Sequence, residues 1–351
     1  MRKEQFYRFC TVIICMFFIS GCGQQSVSYE KSNIVMDTVV TLSATGPQAK
    51  AAVEESFDRL AELEEMASPN IKTSDVAKLR EAAGKNFVPL HDEVYYMLVV
   101  SQKYAELSDG AWDVTLGPII NLWGIGTDAQ RIPTDEEIKE KLKLVDYHKV
   151  LLRESDKSAM LMEKGMEIDL GGIAKGFAAD EVRKIYKKYK IENGLINLGS
   201  STMYAIGKNK EGKSWAVGIK HPRKDDRNTY LGVIHLGEEA LSTSGDYERF
   251  FEENGKRYHH IFDPKTGYPA DNGAMSDTIV IGGDVTDCGM LSDLLSTTVF
   301  ILGPQKGIAF IAALPGKMGC EITMRNGQIY TTNDFSKRIL NLNKDFSFSS
   351  P

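Results

Sequence analysis

The sequence predicts an α+β fold of mixed sheets with packed helices, and three observations carry that expectation. Helical periodicity concentrates in the first half of the chain, β-type segments cluster beyond it, and nowhere do strand and helix alternate regularly as βαβ units would. A strand is expected at Val35–Leu42, followed by a helix with Val53, Phe57, Leu60 and Leu63 along one face. A second helix covers Asp92 to Leu107 and buries Val94, Met97, Leu98 and Tyr104. Thr134 and Glu137 read as a capping box after Pro133, opening a third helix through Leu142. A fourth runs from Ala174 to Lys188, with Phe177, Ala178, Val182 and Ile185 inward and its lysines outward. Strands then dominate, at Gly194–Leu198, Met203–Ile206, Trp215–Ile219 and Tyr230–His235. An apolar helix from Asp287 to Leu302 precedes another at Gln305–Ala313, with closing strands near Glu321 and Ile329. Residues 341–351 read as a loose polar tail.

Composition narrows the class. The 351 residues are 42% apolar and 26% charged, which excludes disorder, collagen and a coiled coil for the whole chain. A net charge of −6 leaves no electrostatic footprint for nucleic acid. Five cysteines in a chain this long are no disulfide framework. Length alone allows one large domain or two, but no repeat or linker divides residues 33–335.

The N-terminus carries its own message. Arg2, Lys3 and Arg8 precede an apolar run, Phe9 to Ser20, well short of the ~20 residues a spanning helix needs. That length suits a signal peptide. The run ends in Ile19-Ser20-Gly21-Cys22, which resembles a bacterial lipobox whose cysteine receives diacylglycerol. The expected organisation is a signal at 1–21, a polar tether at 22–32, one domain at 33–335 and a tail at 336–351. The mature protein would be anchored through Cys22 on the extracytoplasmic face of the cell membrane.

Neither of the two commonest phosphate cradles, GxGxxG after a strand or GxxxxGK[ST], is present, and no HExxH or CxxC pair suggests zinc. Four other segments concentrate glycine, carboxylate and hydroxyl. Ser108 to Pro118 presents an aromatic ring, Trp112, beside Asp113 after an Asp109-Gly110 turn. Ile168 to Gly176 sets Gly171 and Gly172 before a helix, where backbone N–H groups approach a phosphate closely, flanked by Asp169 and Lys175. Leu241 to Tyr247 is followed by Tyr258 to Gly267, in which His259 and His260 point to opposite faces of a strand. Asp293 and Thr297, four apart on the late helix, put a carboxylate and a hydroxyl on one face, hard oxygens of the kind Mg²⁺ takes. Singly, each is as well explained by a tight turn, a structural histidine or a helix-surface hydrogen bond.

In this order the segments resemble the ApbE family of FAD:protein FMN transferases, from about Val35 to Thr332. The resemblance implies a T-fold-like α+β architecture with FAD in a cleft between lobes. It implies Mg²⁺-dependent cleavage of the FAD pyrophosphate, joining FMN to a threonine or serine of an exported flavoprotein. FAD is then substrate, held by Met36, Asn70, Ala111, Trp112, Asp113, Asp169, Lys175, Ile261 and Phe262. Asp293, Ser296, Thr297 and the carbonyl of Gly172 would hold the metal, and His260 would be the base, with Asp169 at the reacting centre. The chain departs from the family pattern at Asp37, at Asn70 where many members carry tyrosine, at Trp112 where phenylalanine is usual, and at Ser200-Ser201. Two other functions need part of the same site: an FAD pyrophosphatase that gives FMN and AMP, and a lipoprotein that only binds FAD. The last has no use for Asp293, Thr297 and His260 together.

Overall fold

The computed structural model describes residues 27–224 and 229–349; the signal segment 1–21 and Cys22 lie outside the described residues. Strands added one after another build a single sheet. In chain order they are Ser28–Val35 (β1), Thr38–Thr45 (β2), Asn193–Leu198 (β3), Thr202–Ile206 (β4), Glu239–Gly245 (β5), Ala274–Gly282 (β6), Met318–Met324 (β7), Gln328–Thr331 (β8) and Ser347–Phe348 (β9). Each pairs antiparallel with the next until β9, which joins β8 in parallel. Four helices matter most: Ala49–Ala67 (α1), Asp92–Leu107 (α2), Ala174–Lys188 (α3) and Cys288–Ala313 (α4). They share one core with the inner sheet face, built from residues such as Leu42, Leu60, Leu98, Val182, Ile279, Leu294 and Phe300. A two-stranded sheet, Trp215–Lys220 with Tyr230–Leu236, covers the other face over Val217, Leu231, Val280 and Phe335.

The helices fall where periodicity places them. α2 and α3 have the expected bounds and buried faces. Thr134 Oγ1 accepts from Glu137 N while Glu137 returns a bond to Thr134 N, the full capping box. The late helices are one run with a break at Gly303, where φ is 73° beside Pro304. α4 is long and apolar enough to cross a membrane, yet over half of that stretch is buried inside the fold, packed on α3, β5 and β6.

Three expectations change. The strand at Val35–Leu42 is a hairpin: Met36 and Asp37 have φ of 55° and 57°, a two-residue turn between paired Val35 and Thr38. Residues 28–32, assigned to the tether, therefore belong to β1. The C-terminal segment is not loose. Asn343 N donates to Leu231 O, Phe346 is buried, and Ser347–Phe348 adds β9. Cys288 and Cys320 are both buried free thiols.

β6 was not expected as a strand, and it is buried on both faces. It carries Asp277, and β7 carries Glu321, two fully buried carboxyls. Burial pushes Glu321 up to about 7, against bonds from Thr323 and Thr278 that pull it down. Its folded pKa exceeds the unfolded value of 4.5, so its contribution is intact at low pH and lost as pH rises through about 7. Glu321→Gln is expected to leave the melting temperature near native at pH 5 and to stabilise by about 3 kcal/mol at pH 8. Melting curves at the two pH values check it; equal shifts at both would contradict the assignment.

Candidate active site

The site lies where the start of α3 meets α4. Glycine makes the meeting possible. A Cβ on Gly176 would stand 2.2 Å from Gly289 O and 2.7 Å from both Met290 Cα and Asp293 Cβ, so only a bare backbone fits. Gly176 N then donates to Asp293 Oδ2 at 3.0 Å. The helix entrance is tied a second time, since Asp180 on α3 accepts from Gly289 N (3.0 Å) and Met290 N (2.8 Å), capping α4 from outside. Burial raises Asp180 to about 6, against those two N–H bonds.

The Gly-Gly turn closes the other side. Asp169 Oδ1 accepts from Gly171 N at 2.9 Å, and Lys175 Nζ reaches back to Gly171 O at 2.8 Å. The same amine lies 3.9 Å from Asp293 Oδ1. A Cβ on Gly172 would be 2.9 Å from Trp112 Cζ3 and 3.0 Å from Thr297 Oγ1, so the indole and the threonine flank this glycine. Asp293, Thr297, Gly172, Lys175 and Trp112 are thus brought together as expected.

Other expected residues have more structural duties. Asp113 is buried and accepts from Thr115 N (2.8 Å), Thr115 Oγ1 (2.6 Å) and Tyr147 N (3.1 Å), bracing the loop that holds Trp112 and Ala111. Burial nonetheless raises its pKa. Ser296 Oγ donates to Asp293 O (2.9 Å) and pairs with Ser244 Oγ (2.9 Å). One helical turn earlier Ser292 pairs with Ser242 at 2.8 Å, so α4 is riveted to β5 by hydroxyls. Ile261 packs in the main core and Phe262 in a smaller cluster against Trp123, with ring centroids 5.9 Å apart. Met36 is half-buried at the hairpin turn, and Asn70 is exposed in the loop after α1.

The histidine pair falls at a strand end, His259 closing the strand Lys256–His259 and His260 lying just beyond it, so the two do not share a strand as expected. His259 is buried, with Nε2 on Ala270 O at 3.0 Å. His260 is half-buried, with Nδ1 3.2 Å from Arg249 O, so Nδ1 bears the proton and Nε2 keeps its lone pair. Burial, then the charge of Arg249, push His260 down to about 3. Arg249, Asp180 and Gly289 were not singled out from sequence; of the site's glycines only Gly171 and Gly172 were, as a pair before a helix.

The donor set can be tested against a divalent cation. Among the described residues no cluster of three or more His, Cys, Asp or Glu side chains exists. The site offers instead one carboxylate, one hydroxyl and one carbonyl. Asp293 Oδ1, Thr297 Oγ1 and Gly172 O each lack a hydrogen bond among the described residues. Hard oxygens left unpaired beside an amine fit Mg²⁺ shared with phosphates, which keeps part of its shell from substrate and water.

Residues 36–322 match the ApbE family. The FAD:protein FMN transferase of Klebsiella pneumoniae strain 342 is 34% identical over 281 residues, spanning 80% of this chain and 84% of the relative. That of Treponema pallidum is 33% identical over 336 residues, spanning 90% and 91%. In solved structures, the ApbE protein of Thermotoga maritima superposes with a TM-score of 0.79 at 31% identity, covering 89% of this chain and 99% of that one. The flavin transferase ApbE of Vibrio cholerae gives 0.78 at 25% identity, covering 90% and 100%. By fold, by the order of its motifs and by the extent of these matches, the chain belongs to the ApbE family.

Proposed function

We propose that this enzyme transfers FMN from FAD to a threonine or serine hydroxyl of an exported acceptor protein, with Mg²⁺ as cofactor and AMP as leaving group. The observation that carries the reading is the trio of unpaired oxygens, Asp293 Oδ1, Thr297 Oγ1 and Gly172 O, beside Lys175. These residues would hold the metal, with Ser296 behind them, and a divalent cation there would offset charge developing on the pyrophosphate oxygens. Lys175 supplies a second positive charge, and N–H groups at the start of α3 face the phosphates. Trp112 and Ala111, braced by Asp113, with Met36 and Ile261-Phe262, form the flavin side, while Asp169 holds the Gly-Gly turn in shape. Asn70 stands at the adenine end. His260 Nε2 takes the acceptor hydroxyl proton as that oxygen bonds to the FMN phosphorus and the P–O bond to AMP breaks.

The test mixes protein, FAD, Mg²⁺ and candidate exported flavoproteins and reads acceptor mass. An FMN increment with equimolar AMP supports the proposal; free FMN with an unchanged acceptor mass would favour the pyrophosphatase. Membrane attachment through Cys22 rests on the lipobox alone, and loss of the membrane-bound fraction in Cys22→Ala tests it.

His260→Gln is expected to slow transfer by about a hundredfold or more. The base form of His260 persists as pH falls through the ordinary histidine value of 6.5, because its own pKa lies lower. Its kcat/KM should therefore stay level between pH 8 and about 5.5. A rate loss centred near 6.5 in the native protein, absent from His260→Gln, would contradict this.

A further inference from the structure

The end of the sheet at which the chain enters the fold collects lysines. Gly46 N donates to Val27 O at 3.0 Å, and β1 starts at Ser28, across the ladder from Thr45, which in turn pairs with Asn193. Lys208 N donates to Asn193 Oδ1 at 2.7 Å. The close of α3 joins the same end, because Ile191 N returns to Tyr186 O and Ile191 Cδ1 would stand 3.5 Å from a Cβ on Gly46. Lys50 on α1, Lys187 and Lys190 at the close of α3, and Lys208 and Lys210 after β4 are exposed here, and among the described residues none of them has an ion pair. The acidic side chains nearby are Glu30, Glu54, Glu55, Glu192 and Glu211. Glu54 is already paired with Lys31, Glu55 with Lys188 and Glu211 with Lys213. The lysines therefore face only Glu30 and Glu192 as unpaired carboxylates, in a chain whose net charge is −6. Residues 23–26 alone separate Val27 from Cys22, so the chain can put at most about 18 Å between them.

We propose that this lysine end is a docking surface for anionic lipid headgroups of the bilayer that anchors Cys22. A lipid on Cys22 holds the domain near the membrane but leaves it free to swing on its tether. Lysines beside a negatively charged leaflet add an attraction that acts only within about a Debye length, roughly 8 Å at physiological salt, and the tether keeps this end within reach of it. The second contact fixes orientation. β1 then carries the chain away from the headgroups over eight residues, a rise of about 24 Å, to the turn at Met36 on the proposed flavin side. The cleft is held off the bilayer, where an exported acceptor can reach it.

This inference rests on the reading of Cys22 as the lipid site, and the experiment separates the two. The mature chain from residue 23 keeps every described residue and carries no lipid. It is mixed with vesicles of phosphatidylcholine, or of equal parts phosphatidylcholine and phosphatidylglycerol, and bound protein is read by co-sedimentation. Binding is expected on the anionic vesicles only, and it should disappear in high salt. Lys187→Gln, Lys190→Gln, Lys208→Gln and Lys210→Gln together should weaken it about a hundredfold or more, at roughly fivefold per lysine. The same change at Lys72, Lys139, Lys141 and Lys164, exposed lysines of other elements, removes equal charge and should leave binding near native. Melting temperature confirms that both variants are folded. Failure of the native chain to bind anionic vesicles, native binding in the first variant, or equal weakening in the two overturns the inference. Cys22 is absent from this chain, so the outcome is independent of the lipobox, which the membrane fraction of Cys22→Ala decides.

Discussion

Asp293→Ala is expected to lower FMN transfer at least about a hundredfold while the protein stays folded. The carboxylate is the one anionic member of the proposed metal set, so its loss removes the charge that holds a divalent cation against competing water. Alanine also strands Gly176 N–H, which donates to Asp293 Oδ2, at a cost of about 1–3 kcal/mol. Asp293→Asn separates the two effects. It keeps an oxygen for Gly176 N–H and removes only the charge, so melting temperature should hold near native while transfer falls as far as in alanine. Mass spectrometry of the acceptor and thermal melting together decide it. An active Asp293→Asn in Mg²⁺-limited buffer would place the metal elsewhere.

Gly176→Ala should have the largest effect on stability, although it adds a single methyl. The new carbon meets backbone and Cβ atoms of α4, at 2.2 Å from Gly289 O, and none of these is the flexible end of a side chain. α3 and α4 must separate, and overpacking of this kind costs about 1–3 kcal/mol or more. Separation also pulls Asp293 from Gly176 N–H, so Mg²⁺ binding should weaken in the same variant. Gly237→Ala, with nothing within 4 Å of the added carbon, is the control and should be silent. Urea titration reads the difference; a native midpoint in Gly176→Ala would mean the helices are not in backbone contact.

What the sequence disclosed, and what it hid, follows from the range of each interaction. α2 and α3 were legible because an apolar stripe at helical spacing is a local signal, and so was the Thr134–Glu137 cap. The first hairpin was hidden because its turn is Met36-Asp37, with no glycine or asparagine to announce two left-handed residues. β6 was hidden for a different reason: it is buried on both faces, so it shows no alternation, and Ser276, Asp277 and Thr278 disguise it as a polar loop. The polar C-terminus looked loose because its hold on Leu231 and β8 is made by backbone, which residue type does not display. The site divides likewise. Its motifs were readable within short windows, and the resemblance ordered them. That Gly176 and Asp293 are bonded across 117 residues, or that Ser244 faces Ser296 across 52, no local window contains.

Asp180 has a bearing on how the molecule assembles during synthesis. The first N–H groups of α4 find their acceptor on α3, made more than a hundred residues earlier. A nascent chain that has passed α3 but not yet α4 carries this carboxylate without the two N–H donors it meets in the fold. α4, when it emerges, is an apolar stretch whose start lacks a side-chain cap of its own. Each helix therefore matures on contact with the other, and the carboxylate expected to bind metal is set in place by the same docking. If Asp293 and Thr297 hold the metal as proposed, a chain halted before that docking would lack the site, and metal capture and completion of the fold should coincide in time.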